Sequence, residues 1–122
     1  MTRILVVDDE PDTTRLVSLT MERAGYEVIP CYSGKEALTL AETQTFDLIL
    51  LDVMLPDLDG YEVARRLLTR DTPAPPILFF SARGSLEDQQ KGRALGWGYL
   101  VKPVRLSTLL DSVRRSLGEQ TG

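Results

Sequence analysis

The sequence predicts an α/β fold: a doubly wound, five-stranded parallel sheet in strand order 2-1-3-4-5, with five helices. Three observations predict it. Short unbroken apolar runs recur along the chain, segments of helical period separate them, and the two alternate five times within 122 residues. Such alternation implies parallel strands joined by helical crossovers. Right-handed crossovers leave few arrangements, and 2-1-3-4-5 is a usual order for five units. A single domain over residues 1–122 is expected, because two cores would each be too small to hold together.

The strands are Ile4–Val7, Val28–Cys31, Leu48–Leu51, Ile77–Phe80 and a shorter Tyr99–Val101. Each run is continuous rather than alternating, as for strands covered on both faces. Leu16, Val17, Thr20, Met21 and Ala24 form the apolar stripe of the first helix, and Gly25 stops it. Ser33 with Glu36 is a capping box that opens the second helix through Ala37, Leu38 and Ala41. Tyr61, Ala64, Leu67 and Leu68 mark the third, stopped by the proline-rich stretch Pro73–Pro76. Ser85 with Asp88 caps the fourth, whose Glu87–Arg93 stretch is polar and is weakened further by Gly92. Leu106, Leu109, Leu110, Val113 and Leu117 make the clearest stripe, ended by Gly118.

Composition narrows the chemistry. There is no histidine, which removes Ser-His-Asp and Cys-His nucleophiles, HExxH metalloproteases and His-ligated zinc. Cys31 stands alone and cannot form an internal disulfide, which suits a reducing, cytoplasmic compartment. The net charge of −4 argues against direct nucleic-acid binding through a basic face. Apolar runs such as Ile4–Val7 are short and bounded by carboxylates, so neither a leader nor a membrane span is expected.

In a doubly wound sheet, sites form outside the carboxyl ends of the strands. Here the first strand runs into Asp8-Asp9-Glu10, the third into Asp52, the fourth into Ser81 and the fifth into Lys102-Pro103. Asp8, Asp9 and Asp52 are expected to converge, with a repulsion of roughly 3 kcal/mol per pair at 5 Å and an effective dielectric of 20. A hard divalent cation offsets that, and two or three carboxylates plus a carbonyl suit Mg²⁺. Neutralising Asp9 or Asp52 is therefore expected to stabilise the chain without metal. Lys102 reads as a counter-ion for an anion arriving at Asp52. Asp12, Asp57 and Asp59 read as ordinary cap and turn residues.

Four segments, taken in order, carry a resemblance: Ile4-Leu5-Val6-Val7-Asp8-Asp9-Glu10, Asp52-Val53-Met54-Leu55-Pro56-Asp57-Leu58-Asp59-Gly60, Ser81-Ala82 and Lys102-Pro103. Over essentially its full length the chain resembles the response-regulator receiver domain of two-component signal transduction. Each piece alone is a weak signal; four at the ends of four strands are specific. The resemblance implies a flavodoxin-like, chemotaxis-regulator-like fold. It implies that Asp52 accepts a phosphoryl group from a sensor histidine kinase or phosphotransfer protein, and that the domain then switches to control a downstream effector or output domain. It further implies Mg²⁺ held by Asp8, Asp9, Asp52 and the Met54 main-chain carbonyl, with Ser81 and Lys102 touching the phosphoryl group. Ser81 and Tyr99 would be the switch pair, Gly60 and Pro103 structural, with Pro103 following a cis bond. Such a domain is a phospho-acceptor rather than an enzyme, and it assists its own transfer and slow autodephosphorylation.

The chain departs from that family at Gly96-Trp97-Gly98-Tyr99, where Gly-Ala-Asp-Asp commonly precedes the aromatic residue. The acidic residues that often bridge a phosphorylation-dependent dimer are thus missing. Trp97 reads first as filling a local apolar gap and second as a partner anchor. Three rival functions fit these residues less well. A phosphohydrolase with an aspartate nucleophile needs a second aspartate where Met54 stands. A flavin mononucleotide carrier needs a hydroxyl-rich phosphate loop where Asp8–Asp12 would repel the phosphate. A receiver-like interaction module that is never phosphorylated has no need of the intact Asp8, Asp9, Asp52, Ser81 and Lys102 set.

Overall fold

A computed structural model describes residues 1–119. Ten elements alternate: β1 (Arg3–Val7), α1 (Pro11–Arg23), β2 (Glu27–Cys31), α2 (Gly34–Thr43), β3 (Leu48–Leu51), α3 (Gly60–Leu68), β4 (Ile77–Ser81), α4 (Leu86–Leu95), β5 (Gly98–Val101) and α5 (Leu106–Ser116). All strand pairs are parallel and the order is β2-β1-β3-β4-β5, as predicted.

Strand alternation divides the core into two layers. Leu5, Val7, Ile49, Leu51 and Phe79 face α2 and α3, meeting Ala37, Tyr61, Ala64 and Leu67. Ile4, Val6, Leu48, Leu50 and Leu78 face the other way, onto Val17 and Met21 of α1 and Leu109 and Val113 of α5. The three inner strands are buried throughout apart from the first residue of β1. The outer pair differs from the expectation: β2 and β5 are largely half-buried, because an edge strand lacks a neighbour on one side. Pro30, in β2, is tolerated for that reason.

The helix caps follow the sequence. Pro11 takes the first position of α1, and the hydroxyls of Ser33 and Ser85 accept the N–H groups of Glu36 and Asp88. Two stripes sit one step from their predicted place. α1 buries Thr14, Val17, Ser18 and Met21, leaving Leu16 exposed, and α3 buries Val63 while Leu68 is exposed. α4 buries Gly92 alone, matching its polar sequence. Trp97 is half exposed, beside Leu68, Pro75, Pro76 and Leu95 at the end of the sheet where β4 and β5 begin. Among the described residues, no helix is long and apolar enough to cross a membrane.

Candidate functional site

At the carboxyl end of the sheet, the backbone roots each acidic residue in a strand ladder. The Asp8 N–H donates to the Cys31 carbonyl at 3.1 Å, and the Asp52 N–H donates to the Val7 carbonyl at 2.9 Å. Asp8 and Asp52 are therefore buried although both carry charge, while Asp9 is exposed. One carboxylate oxygen from each of Asp8, Asp9 and Asp52 lies within 4.8 Å of the others.

Local donors orient two of these groups. Asp8 Oδ1 accepts from the Glu10 N–H at 2.9 Å, and Asp52 Oδ1 accepts from the Met54 N–H at 3.1 Å. Their remaining oxygens meet one cation: Lys102 Nζ donates to Asp8 Oδ2 at 2.6 Å and to Asp52 Oδ2 at 3.1 Å. Burial disfavours the Lys102 ammonium, but the two carboxylates outweigh burial and its pKa is raised. Lys102 thus bridges Asp52 and Asp8 and compensates part of their charge. The donor set is all oxygen and carries excess negative charge, so it fits a hard cation such as Mg²⁺.

The other predicted residues surround this cluster. Ser81 ends β4, fully buried, and its hydroxyl oxygen accepts the Arg83 N–H at 3.3 Å. The Lys102 N–H donates to the Ser81 carbonyl at 2.9 Å, which sets the lysine beside β4. The Lys102–Pro103 bond is cis. Met54 leaves its side chain more than half exposed beside Asp52. Gly60 sits where a Cβ would stand 2.3 Å from the Asp52 carbonyl oxygen, so only glycine lets α3 start against the end of β3.

Tyr99 is buried, tilted against Phe79, and its hydroxyl donates to the Arg83 carbonyl. Its ring lies on Gly92, where a Cβ would approach within 2.2 Å. Sequence reasoning found Tyr99 but missed Tyr61, whose hydroxyl stands 3.4 Å from that of Tyr99 and donates to Asp88 Oδ1 at 2.8 Å. Periodicity marks Tyr61 only as apolar core and says nothing of its hydroxyl. The sequence marks Asp57 only as an ordinary turn or cap residue; in the fold its carboxylate accepts N–H groups from the start of α2.

Comparison with known proteins agrees with this geometry. The family model for the response regulator receiver domain matches residues 4–114. The response regulator ArlR of Staphylococcus saprophyticus is 38% identical over 121 residues, which is 98% of this chain and 54% of ArlR. The alkaline phosphatase synthesis transcriptional regulatory protein PhoP of Bacillus subtilis is 46% identical over 102 residues, 83% of this chain and 42% of PhoP. The chain thus spans about half the length of the curated relatives it matches. The chemotaxis response regulator CheY4 of Vibrio cholerae superposes with a TM-score of 0.89 at 37% identity, covering 96% of this chain and 99% of that one. The response regulator TrrA of Thermotoga maritima, solved in complex with Mg²⁺-BeF, superposes at 0.86 with 32% identity, covering 96% and 100%. With the family model spanning nearly the whole sheet and the carboxylates gathered at its end, this chain belongs to the receiver domains of two-component response regulators.

Proposed function

We propose that this receiver domain takes a phosphoryl group from a phosphohistidine onto Asp52, in a Mg²⁺-dependent transfer, and that the change controls a downstream effector or output domain. The observation that carries the reading is the placing of buried Asp52 beside Asp8, Asp9 and the Lys102 ammonium.

The chemistry needs positioning and charge neutralisation more than covalent help. A carboxylate oxygen of Asp52 attacks phosphorus; the P–O bond forms as the P–N bond breaks, and the electron pair leaves with the imidazole. The Met54 N–H orients Asp52. Asp8, Asp9, Asp52 and the Met54 carbonyl would hold Mg²⁺, which when bound supplies positive charge against the carboxylates and the incoming oxygens. Lys102 exchanges its bond to Asp52 for one to the phosphoryl group, and Ser81 adds a hydroxyl donor. Tyr99 then changes its bond to the Arg83 carbonyl, giving the switch. The partners in this reading are a sensor histidine kinase or phosphotransfer protein and a downstream protein or output domain. Neither nucleic acid nor membrane is bound by this domain, and its compartment is the cytoplasm. Self-dephosphorylation is slow, because Met54 and Arg83 flank the site with no group suited to activating water.

The test is incubation with acetyl phosphate and Mg²⁺ followed by intact mass. One hydroxylamine-labile phosphoryl group is expected on the wild type and none on Asp52→Ala. Persistent modification of the variant would sink the assignment.

A further inference from the structure

The loop from β3 to α3 carries Asp52 and the Met54 carbonyl and ends on Gly60. Its base is fixed, because the Gly60 N–H donates to the Val53 carbonyl at 2.8 Å. Its tip is fixed by a different helix. Asp57 Oδ1 accepts from the Gly34 N–H at 2.8 Å, and Oδ2 accepts from the Lys35 N–H at 2.9 Å. The Leu58 N–H adds a third bond to Oδ1, at 2.8 Å.

Gly34 and Lys35 open α2, whose own cap, Ser33, takes only the Glu36 N–H. The first N–H groups of a helix lack intrahelical partners and favour negative charge. Asp57 satisfies two of them from 23 positions away in sequence. The approach is close: a Cβ on Gly34 would stand 2.9 Å from Val63 Cγ2 and 3.0 Å from Leu58 Cβ. Asp57 is exposed; some desolvation works against its charge, yet the N–H donors of Lys35, Gly34 and Leu58 prevail and its pKa is lowered. Between this anchor and Met54 lie only Leu55 and Pro56. Proline fixes its own φ and holds the preceding residue extended, so the link is stiff.

We infer that Asp57 is a positioning residue for the cation site, locking the loop to α2 so that the Met54 carbonyl keeps the direction a metal needs. Met54 lies outside the strand ladder, so the loop alone sets where its carbonyl points. Asp57 does not touch the ion; it acts through Leu55 and Pro56, the two residues that separate it from Met54. The inference rests on the Mg²⁺ assignment proposed above.

The experiment is Mg²⁺ titration by calorimetry of wild type, Asp57→Ala, Asp57→Asn and Asp59→Ala, well below every melting temperature. Amide exchange at Gly34 and Lys35 is followed in parallel. Outer partners of metal ligands typically contribute about tenfold or more in affinity. Asp57→Ala is expected to raise the Mg²⁺ dissociation constant about tenfold and to speed both amides. Asp57→Asn, which keeps one acceptor oxygen, is expected to fall between it and wild type and replaces it should Asp57→Ala not fold. Asp59→Ala removes the same charge from the same loop, together with the α3 cap that receives the Glu62 N–H at 2.9 Å. Its Mg²⁺ affinity is expected to stay near that of wild type. Faster exchange in Asp57→Ala with unchanged Mg²⁺ affinity would overturn the inference and leave the proposed function standing. Equal weakening in Asp59→Ala would also overturn it, since lost charge would then explain both. A wild type that takes up no Mg²⁺ would overturn the inference and the Mg²⁺ assignment together.

Discussion

The ammonium of Lys102 lies 2.6 Å from Asp8 Oδ2, nearer than the 3.1 Å that separates it from Asp52 Oδ2. One lysine after β5 therefore ties together the ends of β1 and β3. All three side chains are mostly buried, so removing the cation leaves two carboxylates uncompensated. Lys102→Ala in EDTA is expected to lose about 3 kcal/mol of stability. Mg²⁺ can replace the lost charge, so the metal-induced rise in Tm is expected to exceed that of wild type. Melts of both proteins with and without Mg²⁺ check this, and an equal rise in both counts against it.

The same bridge separates two carboxylates that sequence alone treats alike. Asp9 is exposed and its repulsion is felt without an ammonium in contact, whereas Asp52 is paired. In EDTA, Asp9→Asn is expected to be more stable than wild type by up to about 1 kcal/mol. Asp52→Asn is expected to show no such gain, which corrects the expectation that neutralising either one stabilises. Chemical denaturation of the two variants distinguishes them.

If Asp52 is phosphorylated as proposed, Met54 is expected to set the lifetime of the modified aspartate. Its thioether cannot hold or activate a water molecule, and the side chain is exposed beside Asp52. Met54→Asn is expected to shorten the half-life of the phosphorylated protein, measured by loss of the phosphoryl group in intact mass over time. A half-life equal to or longer than that of wild type would refute the role given to this position.

Gly92 and Tyr99 share one volume. Alanine at 92 improves helix propensity by about 1 kcal/mol but drives a methyl group into the Tyr99 ring. Gly92→Ala is expected to lower Tm on balance. In a Tyr99→Ala background the clash is gone, and the same substitution is expected to raise stability by up to about 1 kcal/mol. A double-mutant cycle with equal effects on both arms would show that the two residues are independent.

Cys31 supplies a pH dependence. Burial, reinforced by Glu36, pushes its thiol up to about 12. The unfolded thiol ionises near 8.5, so the unfolded state sheds its proton first as pH rises. The neutral thiol's contribution is complete below that unfolded value and is lost progressively as pH climbs towards the folded one. Across that window wild type is expected to lose about 1.4 kcal/mol per pH unit more than Cys31→Ala. Denaturant midpoints at pH 7 and pH 10 for both proteins measure the difference.

Most of the sheet was legible because apolar runs and strand ends are local. Asp8, Asp52, Ser81 and Lys102 each directly follow or end such a run, with Asp9 next after Asp8, so order and handedness alone bring them to one edge. Other features depend on neighbours that no window of sequence contains. Leu16 and Leu68 are apolar yet exposed, because a helical stripe can be rotated by one residue without changing its period. Asp57 looks like a turn residue until α2 arrives beside it, and Gly92 looks like a weakness until Tyr99 lies on it. The reach of Lys102 to Asp8 spans 94 positions and is set by a flexible side chain, not by the backbone pattern.

Of the ten residues of α4, only Gly92 is buried. The helix contributes a surface more than a layer of packing. Changes at Leu86, Glu87, Gln90, Arg93 or Ala94 alter what this face shows to another protein, and exposed substitutions of that kind usually shift stability by no more than about 0.5 kcal/mol. An equal number of changes on the inner side of α5 would strike Leu109 and Val113 and undo the core. A new preference in binding can therefore accumulate on α4 one residue at a time, while the carboxylates at the end of the sheet stay as they are.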